Sequence, residues 1–353
     1  MSYFKDNIGS MSPYVPGEQP AGLSGVVKLN QNENPYPPSP KALKVMRDFD
    51  GESLRLYPDP MVGRFCQAVA EALSVPVDWV LPGDGSDDLI VMIARAAAGP
   101  GRTVAYPVPT FPFYQTQAQI EGSRCEAVPV TQDYRLPLEE LANANAAVTF
   151  VANPNSPTGA TASADELAWL AGKLDGLLVV DEAYADFADG HALDLVASCP
   201  NVIVLRTLSK GYSLAGLRVG FGIVPPKLMD SLIKTKAIYN VGPLPAAVGA
   251  AAIADQAHHM SCVNKICAQR VFLSHELEAR GSKVWPSGGN FVMVSVPRGD
   301  GRAALEALKQ RNVLVRYFDK DRMRDKLRIS IGTEDDSRAL LAAWDDAGLG
   351  TRT

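Results

Sequence analysis

Continuous apolar runs in the middle of the chain predict strands that are buried on both faces of a sheet. The runs of this kind are residues 147–152, 176–180, 202–206 and 219–224. Residues 164–174, which lie between the first two runs, have the apolar spacing of a helix. Apolar strands that alternate with helices are typical of a mostly parallel α/β sheet.

Helical spacing also occurs on both sides of this central region. The further stretches with this spacing are residues 62–73, 87–98, 246–279 and 301–311. Two more strands are predicted at residues 290–296 and 327–331. Because helices and strands mix in the last third of the chain, that third predicts a smaller α+β domain.

The start of the chain has a different pattern. Residues 11–40 contain many prolines and few periodic apolar positions, which predicts an extended arm that lies over the rest of the protein. We therefore expect three parts: an N-terminal arm that contributes to the small domain (residues 1–40), a large domain (41–240) and a small C-terminal domain (241–353).

Composition and charge exclude several classes of partner. The 353 residues are 46% hydrophobic and 21% charged, with a formal net charge of -5, so nothing favours nucleic acid or an anionic membrane surface. The apolar run at 89–98 contains Arg95 and is too short to cross a bilayer. No apolar stretch follows Lys5 and Asp6, so the N-terminus does not have the pattern of a secretory signal.

The cysteines and histidines do not form a metal-binding pattern. The cysteines are odd in number and irregularly spaced, which argues against a disulfide framework and against a zinc site. His258 and His259 are adjacent, so on a helix they point in different directions. We therefore expect no metal, and a reducing cytoplasm as the location.

Four polar residues lie at the ends of the predicted central strands. Asp181 and Tyr184 follow the second strand, Lys210 follows the third, and Arg218 comes directly before the fourth. Ligands of an open parallel sheet bind beyond the carboxyl ends of its strands. Taken singly, an acid at a strand end is usually a helix cap, and a lysine usually faces solvent. Together, an acid, a phenol, an amine and a guanidinium predict a binding site.

These side chains suit a carbonyl cofactor that has a pyridine ring and a phosphate. A lysine can form an imine with the carbonyl. A buried carboxylate keeps a pyridine nitrogen protonated, so that the ring can withdraw electrons. A phenol can hydrogen-bond a ring oxygen, and an arginine with free backbone amides can bind the phosphate.

A glycine-containing turn supplies such amides. The sequence GDGSDD, residues 83–88, precedes an apolar helix, so its backbone amides and the positive end of the helix dipole meet at one point. Alone this signal is weak, because Ser86 or Asp87 could simply cap the helix. The turn lacks the spacing and the preceding strand of a dinucleotide-binding motif, so a nicotinamide cofactor is disfavoured.

The order of these motifs resembles that of a known family. The runs GDGSDD, NPNSPTG, VVDEAY and RTLSKGYSLAGLRVGFG are similar to those of the fold-type I pyridoxal-phosphate aminotransferases. The runs PYVPGEQP, KLNQNENPYPPSP, LYPDP and LRISIGT most resemble the histidinol-phosphate aminotransferase group. The resemblance implies an α/β, fold-type I PLP-transferase, in which a large cofactor-binding domain with a mostly parallel central sheet carries a smaller α+β domain.

The resemblance also implies roles for the site residues. Lys210 is expected to hold pyridoxal 5'-phosphate covalently and to move the substrate proton. Asp181 is expected to pair with the ring nitrogen, and Tyr184 to bond the ring oxygen. The residues expected at the phosphate are Ser86, Asp87, Ser209 and Arg218. Phe111 matches an aromatic ring that stacks on the cofactor, although Phe111 and Phe113 could equally be core residues.

One run departs from the family pattern. The family has asparagine directly before the proline of PTG, where this chain has Ser156, and Asn155 lies one residue earlier. Either Asn155 reaches the cofactor ring through a shifted backbone, or Ser156 replaces the asparagine with a shorter hydroxyl.

The resemblance implies two arginines in the substrate pocket. Arg328 matches the arginine that binds the acidic group of the substrate, and Arg316 matches a second arginine of the histidinol-phosphate group. Guanidinium groups pair well with phosphate, although Arg316 could instead pair with Asp319 or Asp321 at the surface. The other residues expected in this pocket are Tyr14, Asn32 and Tyr57.

The expected reaction transfers an amino group from L-histidinol phosphate to 2-oxoglutarate, as in histidine biosynthesis. An aromatic amino-acid aminotransferase and a phosphothreonine-type decarboxylase are the alternatives with the same cofactor. A non-catalytic binding protein is disfavoured by the intact set of Lys210, Asp181 and Arg218. Enzymes of this kind are homodimers with shared active sites, so we expect Tyr57 to reach the partner's site and the arm at 11–40 to hold the partner.

Overall fold

Residues 3–13, 17–20, 22, 24–297 and 299–350 are described by the structure, which is a computed structural model. The helices in these residues are α1 (Asp6–Gly9), α2 (Pro40–Asp48), α3 (Gly63–Leu73), α4 (Gly85–Ala97), α5 (Phe113–Ile120), α6 (Leu138–Ala142), α7 (Ala164–Lys173), α8 (Leu195–Ser198), α9 (Pro226–Ile233), α10 (Pro243–Ile253), α11 (Gln256–Ala279), α12 (Gly301–Lys309) and α13 (Glu334–Asp346). The strands are β1 (Val27–Lys28), β2 (Val80–Gly83), β3 (Thr103–Val108), β4 (Arg124–Pro129), β5 (Val148–Ala152), β6 (Leu177–Asp181), β7 (Val202–Thr207), β8 (Gly220–Ile223), β9 (Val284–Trp285), β10 (Phe291–Ser295), β11 (Val313–Leu314), β12 (Arg316–Tyr317) and β13 (Lys326–Ser330). Short 3₁₀ helices cover Gly51–Arg55, Val77–Trp79, Ala185–Phe187 and Ala215–Leu217.

A seven-stranded sheet forms the centre of the protein, in the order β2-β8-β7-β6-β5-β3-β4. Neighbouring strands from β4 to β7 pair in parallel, whereas β8 pairs antiparallel with both β7 and β2. The predicted mostly parallel α/β sheet is therefore confirmed. Since β6 and β7 are parallel neighbours, Asp181 and Lys210 follow at the same edge of the sheet.

Helices cover both faces of this sheet, which explains the continuous apolar runs. Along β6, Leu178 and Val180 belong to one core cluster with α3, α7 and α10, and Val179 belongs to another with α4, α5 and α9. Successive side chains of a strand point to opposite faces, so each of these positions has to be apolar. Burial of Val179 or Val180 stabilises the fold by about 1.5–3 kcal/mol.

The C-terminal third has its own core around a four-stranded sheet of order β12-β13-β10-β9, in which all pairs are antiparallel. Helices α11, α12 and α13 pack against it through residues such as Leu273, Leu308 and the fully buried Trp344. The N-terminal segment joins this part, because β1 pairs in parallel with β11. The division of the chain at residues 40 and 240 stays a prediction.

Most predicted elements are confirmed within a few residues. The predicted strands that are present are β5, β6, β7, β8, β10 and β13, and the predicted helices that are present are α3, α4, α7 and α12. In the described part of the chain, none of the helices is long and apolar enough to cross a membrane.

A short strand before α4 corrects the sequence analysis. The expectation that the GDGSDD turn lacks a preceding strand is wrong, because β2 (Val80–Gly83) leads directly into it. This strand has only four residues, and one of them is Pro82. Proline is tolerated here because β2 lies at the edge of the sheet.

The long helical pattern predicted at residues 246–279 is two helices rather than one. Helix α10 ends at Ile253 and α11 begins at Gln256. Between them, Asp255 accepts a hydrogen bond from Ser39 Oγ (2.5 Å) and pairs with Lys41 Nζ (3.2 Å). Asp255 makes these contacts in a non-helical conformation, with φ -104° and ψ 59°. The break between the two helices therefore coincides with tertiary contacts, and the spacing of apolar residues does not reveal such contacts.

Candidate active site

Lys210 and Tyr184 lie against each other at the carboxyl edge of the central sheet. The Lys210 Nζ is 5.7 Å from the centroid of the Tyr184 ring and donates a hydrogen bond to the carbonyl of Gln31 (3.2 Å). Asn34 Nδ2 donates to the carbonyl of Lys210 (3.0 Å). The segment 31–34 therefore fixes both the backbone and the amine of this lysine.

The Tyr184 hydroxyl lies among cationic and polar groups. Asn32 Nδ2 donates a hydrogen bond to it (3.0 Å), and Phe291 packs edge-on against its ring with centroids 5.1 Å apart. Burial disfavours the phenolate, but the positive charges of Lys210 and Arg328 outweigh burial, so the pKa of Tyr184 lies below its ordinary value. A phenol of lowered pKa is a strong hydrogen-bond donor to an anionic oxygen.

Asp181 is buried, and each of its carboxylate oxygens has a donor. The Tyr114 hydroxyl donates to Oδ2 (2.7 Å), and the backbone N–H of Ala183 donates to Oδ1 (3.1 Å). Burial raises the pKa of Asp181 to about 6, and the negative charges of Asp87 and Glu182 raise it as well, while the two hydrogen bonds lower it. Well above this pH the carboxylate is ionised and can stabilise a positive charge placed beside it.

The start of α4 and Arg218 form a cradle with little room for side chains. Arg218 has φ 55°, and a Cβ on Gly85 would lie 2.5 Å from its Nη2. A Cβ on Gly220 would lie 2.7 Å from the amide nitrogen of Ser86. Glycine at both positions therefore lets the guanidinium and the β8 backbone approach the first turn of the helix.

The same helix end can attract an anion. Among the described residues, the N-cap residue Asp84 makes no side-chain capping bond, so the positive end of the α4 dipole is not neutralised by that side chain. Asp87 Oδ2 lies 3.3 Å from Arg218 Nη2. Burial raises the pKa of Asp87 even though Arg218 and Lys210 act to lower it. The cradle therefore combines helix amides, a guanidinium and a carboxyl group.

The side-chain amide of Asn155 bonds residues of its own loop and of a neighbouring loop. Its Nδ2 donates to the carbonyl of Pro109 (2.9 Å) and to Thr158 Oγ1 (2.8 Å). Its Oδ1 accepts a hydrogen bond from Thr110 Oγ1 (2.7 Å). Asn155 is buried, and these bonds tie the loop that follows β5 to the loop that follows β3.

Ser156, one residue later, contacts the polar residues of the site instead. Its Oγ accepts a hydrogen bond from Arg328 Nη1 (2.9 Å). A hydrogen bond between Ser156 and Tyr184 also helps to lower the pKa of the tyrosine. Ser156 thus links an arginine and a phenol that come from distant parts of the chain.

Arg316 and Arg328 bring two positive charges to neighbouring strands. They are direct cross-strand partners in β12 and β13. The Arg328 guanidinium lies 5.6 Å and that of Arg316 5.5 Å from the centroid of the Phe318 ring. Arg328 also donates to the carbonyl of Asn30 (2.9 Å). Like charges at directly opposite positions repel each other, so this pair is suited to an anion that neutralises both.

A family model described as aminotransferase class I and II matches residues 24–343 of this chain. The chain belongs to this family. Histidinol-phosphate aminotransferase 1 of Trichormus variabilis is 48% identical over 345 residues, which cover 98% of this chain and 99% of that protein. The histidinol-phosphate aminotransferase of Geobacter sp. is 41% identical over 350 residues, which cover 99% of this chain and all of that protein.

Solved structures have the same fold as this aminotransferase. The histidinol-phosphate aminotransferase from Sinorhizobium meliloti, in complex with pyridoxal-5'-phosphate, superposes with a TM-score of 0.89 at 26% identity and covers 98% of each chain. The aspartate aminotransferase from Thermus thermophilus with maleate has a TM-score of 0.83 at 19% identity and covers 98% of this chain and all of that one. The predicted fold-type I aminotransferase fold is confirmed, and so is the resemblance to the histidinol-phosphate group.

Phe111 and Ser209, two further predicted site residues of the aminotransferase, contact neighbouring side chains. Phe111 follows β3 and packs edge-on against Tyr114, with centroids 5.6 Å apart and ring planes at 89°. Phe111 also contacts Phe113 (5.8 Å), but it is only half-buried, so part of its ring is accessible to a ligand. The buried Ser209 hydroxyl accepts a hydrogen bond from Thr207 Oγ1 (3.0 Å).

The remaining predicted residues of the aminotransferase are Tyr57, Tyr14 and the two possible partners of Arg316. Tyr57 is 82% exposed and stacks on Tyr239 with centroids 4.6 Å apart. Tyr14 lies outside the described residues. Asp319, which the sequence offers as a surface partner of Arg316, forms ion pairs with Arg302 (2.8 Å) and Arg324 (3.0 Å). Asp321 lies 3.7 Å from Arg324.

Tyr114 and the role of Gly85 are not predicted from the sequence. Tyr114 donates to Asp181, and its only signal in the sequence is its position three residues after Phe111. Gly85 has φ 75° and makes room for Arg218. A glycine directly before a helical pattern is a usable signal for such a conformation.

Proposed function

We propose that this aminotransferase transfers the amino group of L-histidinol phosphate to 2-oxoglutarate and forms imidazole acetol phosphate and L-glutamate, a step of histidine biosynthesis. The observation that carries the proposal is the position of Arg316 and Arg328 directly opposite each other on β12 and β13. Two guanidinium groups match a phosphate monoester in charge and in hydrogen-bond geometry. Relatives named histidinol-phosphate aminotransferase, 48% and 41% identical over the whole chain, support the same substrate.

The residues present fit pyridoxal 5'-phosphate as the cofactor. The cradle at Gly85 and Gly220, which a Cβ at either position would fill, leaves the α4 amides and Arg218 for the phosphate. Ser86, Asp87 and Ser209 complete the proposed phosphate site. When bound, this cofactor supplies an aldehyde for the amino group and a ring that withdraws electrons from the substrate Cα.

Lys210 has two proposed tasks. Its Nζ would hold the cofactor through the aldehyde group, and, once the amino substrate has taken its place, the free amine would accept the proton of the substrate Cα. The contacts of Lys210 with Gln31 and Asn34 keep the amine directed at the Tyr184 side of the site. Asp181 would pair with the ring nitrogen and keep it protonated, which lets the ring withdraw electrons.

For the ring oxygen we propose Tyr184 and Ser156, with Asn155 in a purely structural role. The support is that all three hydrogen bonds of the Asn155 amide are made within neighbouring loops. Ser156 instead contacts Arg328 directly. In this arrangement the hydroxyl that replaces the usual asparagine joins the cofactor end of the site to its substrate end. Phe111 is proposed to stack on the cofactor ring.

The substrate end is proposed to consist of Arg316, Arg328 and Asn32, together with Tyr14. Arg328 is held by Ser156 Oγ and the Asn30 carbonyl, each at 2.9 Å. Fixed guanidinium groups bind an anion with little further loss of side-chain freedom, which favours a defined position for the phosphate. The same end accepts 2-oxoglutarate in the second half of the reaction through its distal carboxylate.

An aromatic amino acid is the second candidate substrate, and one observation favours it. The Arg328 guanidinium lies near two aromatic rings, 5.5 Å from the centroid of Phe291 and 5.6 Å from that of Phe318. An arginine in such a position can bind a carboxylate while the rings pack against an aromatic side chain. Arg316 would then be unnecessary, which is why we favour the phosphate substrate.

We further propose a homodimer in which Tyr57 reaches the site of the partner. The exposed fractions of Leu56, Tyr57 and Ile238 are 56%, 82% and 70%, and Tyr57 stacks on Tyr239. Contiguous exposed apolar side chains of this kind commonly mark a protein interface. An exposed tyrosine of this kind is suited to serve a second chain.

An absorbance titration of the purified protein tests the reaction. Protein loaded with pyridoxal phosphate is mixed with L-histidinol phosphate, with phenylalanine and with phosphothreonine in separate cuvettes. We expect the visible band to disappear with L-histidinol phosphate and to return after 2-oxoglutarate is added. The same cycle with phenylalanine alone would favour the aromatic substrate, and release of CO2 from phosphothreonine would favour a decarboxylase.

The variant Lys210→Ala tests the assignment of the lysine. We expect it to bind pyridoxal phosphate without forming a covalent bond that borohydride can trap, and to have no measurable turnover. Lys227→Ala is a matched control, because Lys227 is an exposed lysine on α9. Turnover by Lys210→Ala at the wild-type rate would contradict the assignment, and a wild-type protein that fails to bind the cofactor would contradict the whole proposal.

A further inference from the structure

We infer that Tyr114 is a positioning residue for the transamination proposed above: its hydroxyl orients Asp181, and its ring supports Phe111. The inference rests on the proposed function, in which Asp181 contacts the ring nitrogen of the cofactor and Phe111 stacks on the plane of the ring. Tyr114 itself contacts neither substrate nor cofactor in this scheme. It lies on α5 and acts through the residues that do.

Two aromatic rings hold Tyr114 in position. Its side chain is fully buried, and its ring stacks on Phe150 with centroids 4.9 Å apart and ring planes at 3°. Phe111 packs edge-on against the same ring at 5.6 Å. Offset-stacked and edge-to-face pairs are the favoured geometries of aromatic rings, so the phenol has little freedom to turn. A rigid ring can place its hydroxyl with the accuracy that a catalytic carboxylate requires.

The hydrogen bonds of Asp181 define which lone pairs remain for a ligand. Tyr114 donates to Oδ2 at 2.7 Å, and the Ala183 N–H donates to Oδ1 at 3.1 Å. An ionised carboxylate has about four acceptor positions, so two donors hold its plane and still leave one position on each oxygen. The carboxylate can therefore accept a further N–H without giving up either of these bonds.

Charge explains why the hydroxyl serves as a donor only. Burial raises the pKa of Tyr114 well above its ordinary value, and the negative charge of Asp181 raises it further, so the phenol keeps its proton. For Asp181, burial raises the pKa, Asp87 and Glu182 add to this effect, and the Tyr114 bond opposes it. Glu182 is itself paired with Arg206 at 2.8 Å.

Loss of the Tyr114 hydroxyl should therefore raise the pKa of Asp181 above about 6. A larger fraction of Asp181 would then be protonated near neutral pH, and a protonated carboxyl group cannot stabilise the charged ring nitrogen. The defect should be largest at pH 6 to 7 and should become smaller as the pH rises, because the carboxylate ionises again. A variant that merely disturbs packing would be equally impaired at every pH.

The test compares Tyr114→Phe with Tyr106→Phe. Tyr106 is a second buried tyrosine of the same core cluster, and its hydroxyl faces Cys125 rather than Asp181. The affinity for pyridoxal phosphate is measured by absorbance titration from pH 6 to pH 9, and kcat and KM are measured at the same pH values. A hydrogen bond to a charged group contributes about 1.5–3 kcal/mol, so we expect Tyr114→Phe to bind the cofactor roughly tenfold more weakly at pH 6.5. We expect a much smaller loss at pH 9, a lower kcat with little change in KM, and wild-type behaviour of Tyr106→Phe.

Two further measurements separate the possible failures. In the background of Asp181→Asn, Tyr114→Phe should cause no additional pH-dependent loss of cofactor affinity, since the group that it positions no longer titrates. An unchanged pH profile in Tyr114→Phe, or an equal loss at all pH values in both tyrosine variants, would overturn the positioning role. If the wild-type protein does not bind pyridoxal phosphate at all, the proposed function fails first, and this result is recognised before any variant is made.

Discussion

Arg316 and Arg328 occupy directly opposite positions on two neighbouring antiparallel strands, and both guanidinium groups lie within 5.6 Å of the centroid of the Phe318 ring. A cross-strand pair of like charges disfavours the folded protein by up to about 1 kcal/mol. Such a pair is useful when a bound anion removes the repulsion. This arrangement makes the proposed substrate end of the site testable separately from its proposed cofactor end.

Replacement of either arginine should weaken the phosphate substrate selectively. A hydrogen-bonded charge contributes about 1.5–3 kcal/mol, so Arg316→Gln and Arg328→Gln should each lower kcat/KM for L-histidinol phosphate roughly 10- to 100-fold. Most of the loss should appear in KM, because the phosphate does not change during the reaction. The affinity for pyridoxal phosphate, measured by absorbance titration, should stay close to that of the wild type.

Arg302→Gln is the matched control for these two variants. Arg302 also lies beside β12, but its guanidinium packs 5.3 Å from the centroid of Tyr317 and pairs with Asp319. Tyr317 alternates with Arg316 along the strand and therefore points to the other face. A loss of kcat/KM in Arg302→Gln as large as in Arg316→Gln would indicate a general effect of charge and would contradict a phosphate site between the two strands.

Replacement of Ser156 should mainly lower activity, whereas replacement of Asn155 should mainly lower stability. Ser156→Ala removes the contacts with Arg328 and Tyr184, so we expect kcat/KM to fall about tenfold while the free energy of unfolding changes by less than about 1 kcal/mol. Asn155→Ala leaves the partners of a buried amide unpaired, so we expect about 1–3 kcal/mol of lost stability. Urea unfolding and steady-state kinetics on both variants check this division, and the two variants serve as controls for each other. The opposite pattern would assign the ring contact to Asn155.

The central strands could be predicted from the sequence because burial on both faces leaves a continuous apolar run. Strand β6 is such a case, since four of its five residues are buried. Strand β4 is not, because it lies at the sheet edge and only Val128 is buried there. Strand β3 includes Pro107, and it pairs with β5 only through Val104 and Ala105. Edge positions and prolines remove the signal on which the prediction depends.

The site could be predicted only as far as its residues follow the strands. Lys210 and Asp181 lie at the carboxyl ends of strands, where the ligands of a parallel sheet usually bind. Tyr114 contacts Asp181 across 67 residues of sequence, and Ser156 contacts Arg328 across 172. Such pairs depend on the directions of side chains that only the folded chain brings together. The choice between Ser156 and Asn155 is open in the sequence for the same reason.

Removal of the Asp181 charge should stabilise the protein without cofactor at high pH. Burial raises the pKa of Asp181 from 3.8 to about 6, so the folded state loses stability as the pH rises through this interval. Asp181→Asn should therefore exceed the wild type in free energy of unfolding by up to about 3 kcal/mol at pH 8, since one pKa unit corresponds to about 1.4 kcal/mol. The difference should shrink at pH 5.

Urea unfolding of the cofactor-free proteins at pH 5 and pH 8 checks this expectation. Asp230→Asn, which changes an exposed aspartate of α9, should differ little from the wild type at either pH. A stability difference for Asp181→Asn that is the same at both pH values would mean that the carboxylate does not titrate in this range. The variant should also turn over far more slowly than the wild type when loaded with cofactor, because it cannot stabilise the charged ring nitrogen.

Disruption of the exposed apolar surface around Tyr57 should separate the proposed dimer and lower activity together. Ile238 is 70% exposed and lies next to Tyr239, on which Tyr57 stacks. Ile238→Glu places a charge in this surface, so sedimentation velocity should show a monomer at concentrations where the wild type is a dimer. Val271→Glu is the control, because Val271 is 69% exposed but lies on α11.

If Tyr57 serves the site of the partner, the monomeric variant should lose kcat/KM for L-histidinol phosphate, and Tyr57→Phe should lose part of it as a dimer. A wild-type monomer with full activity would exclude both the dimer and the shared site.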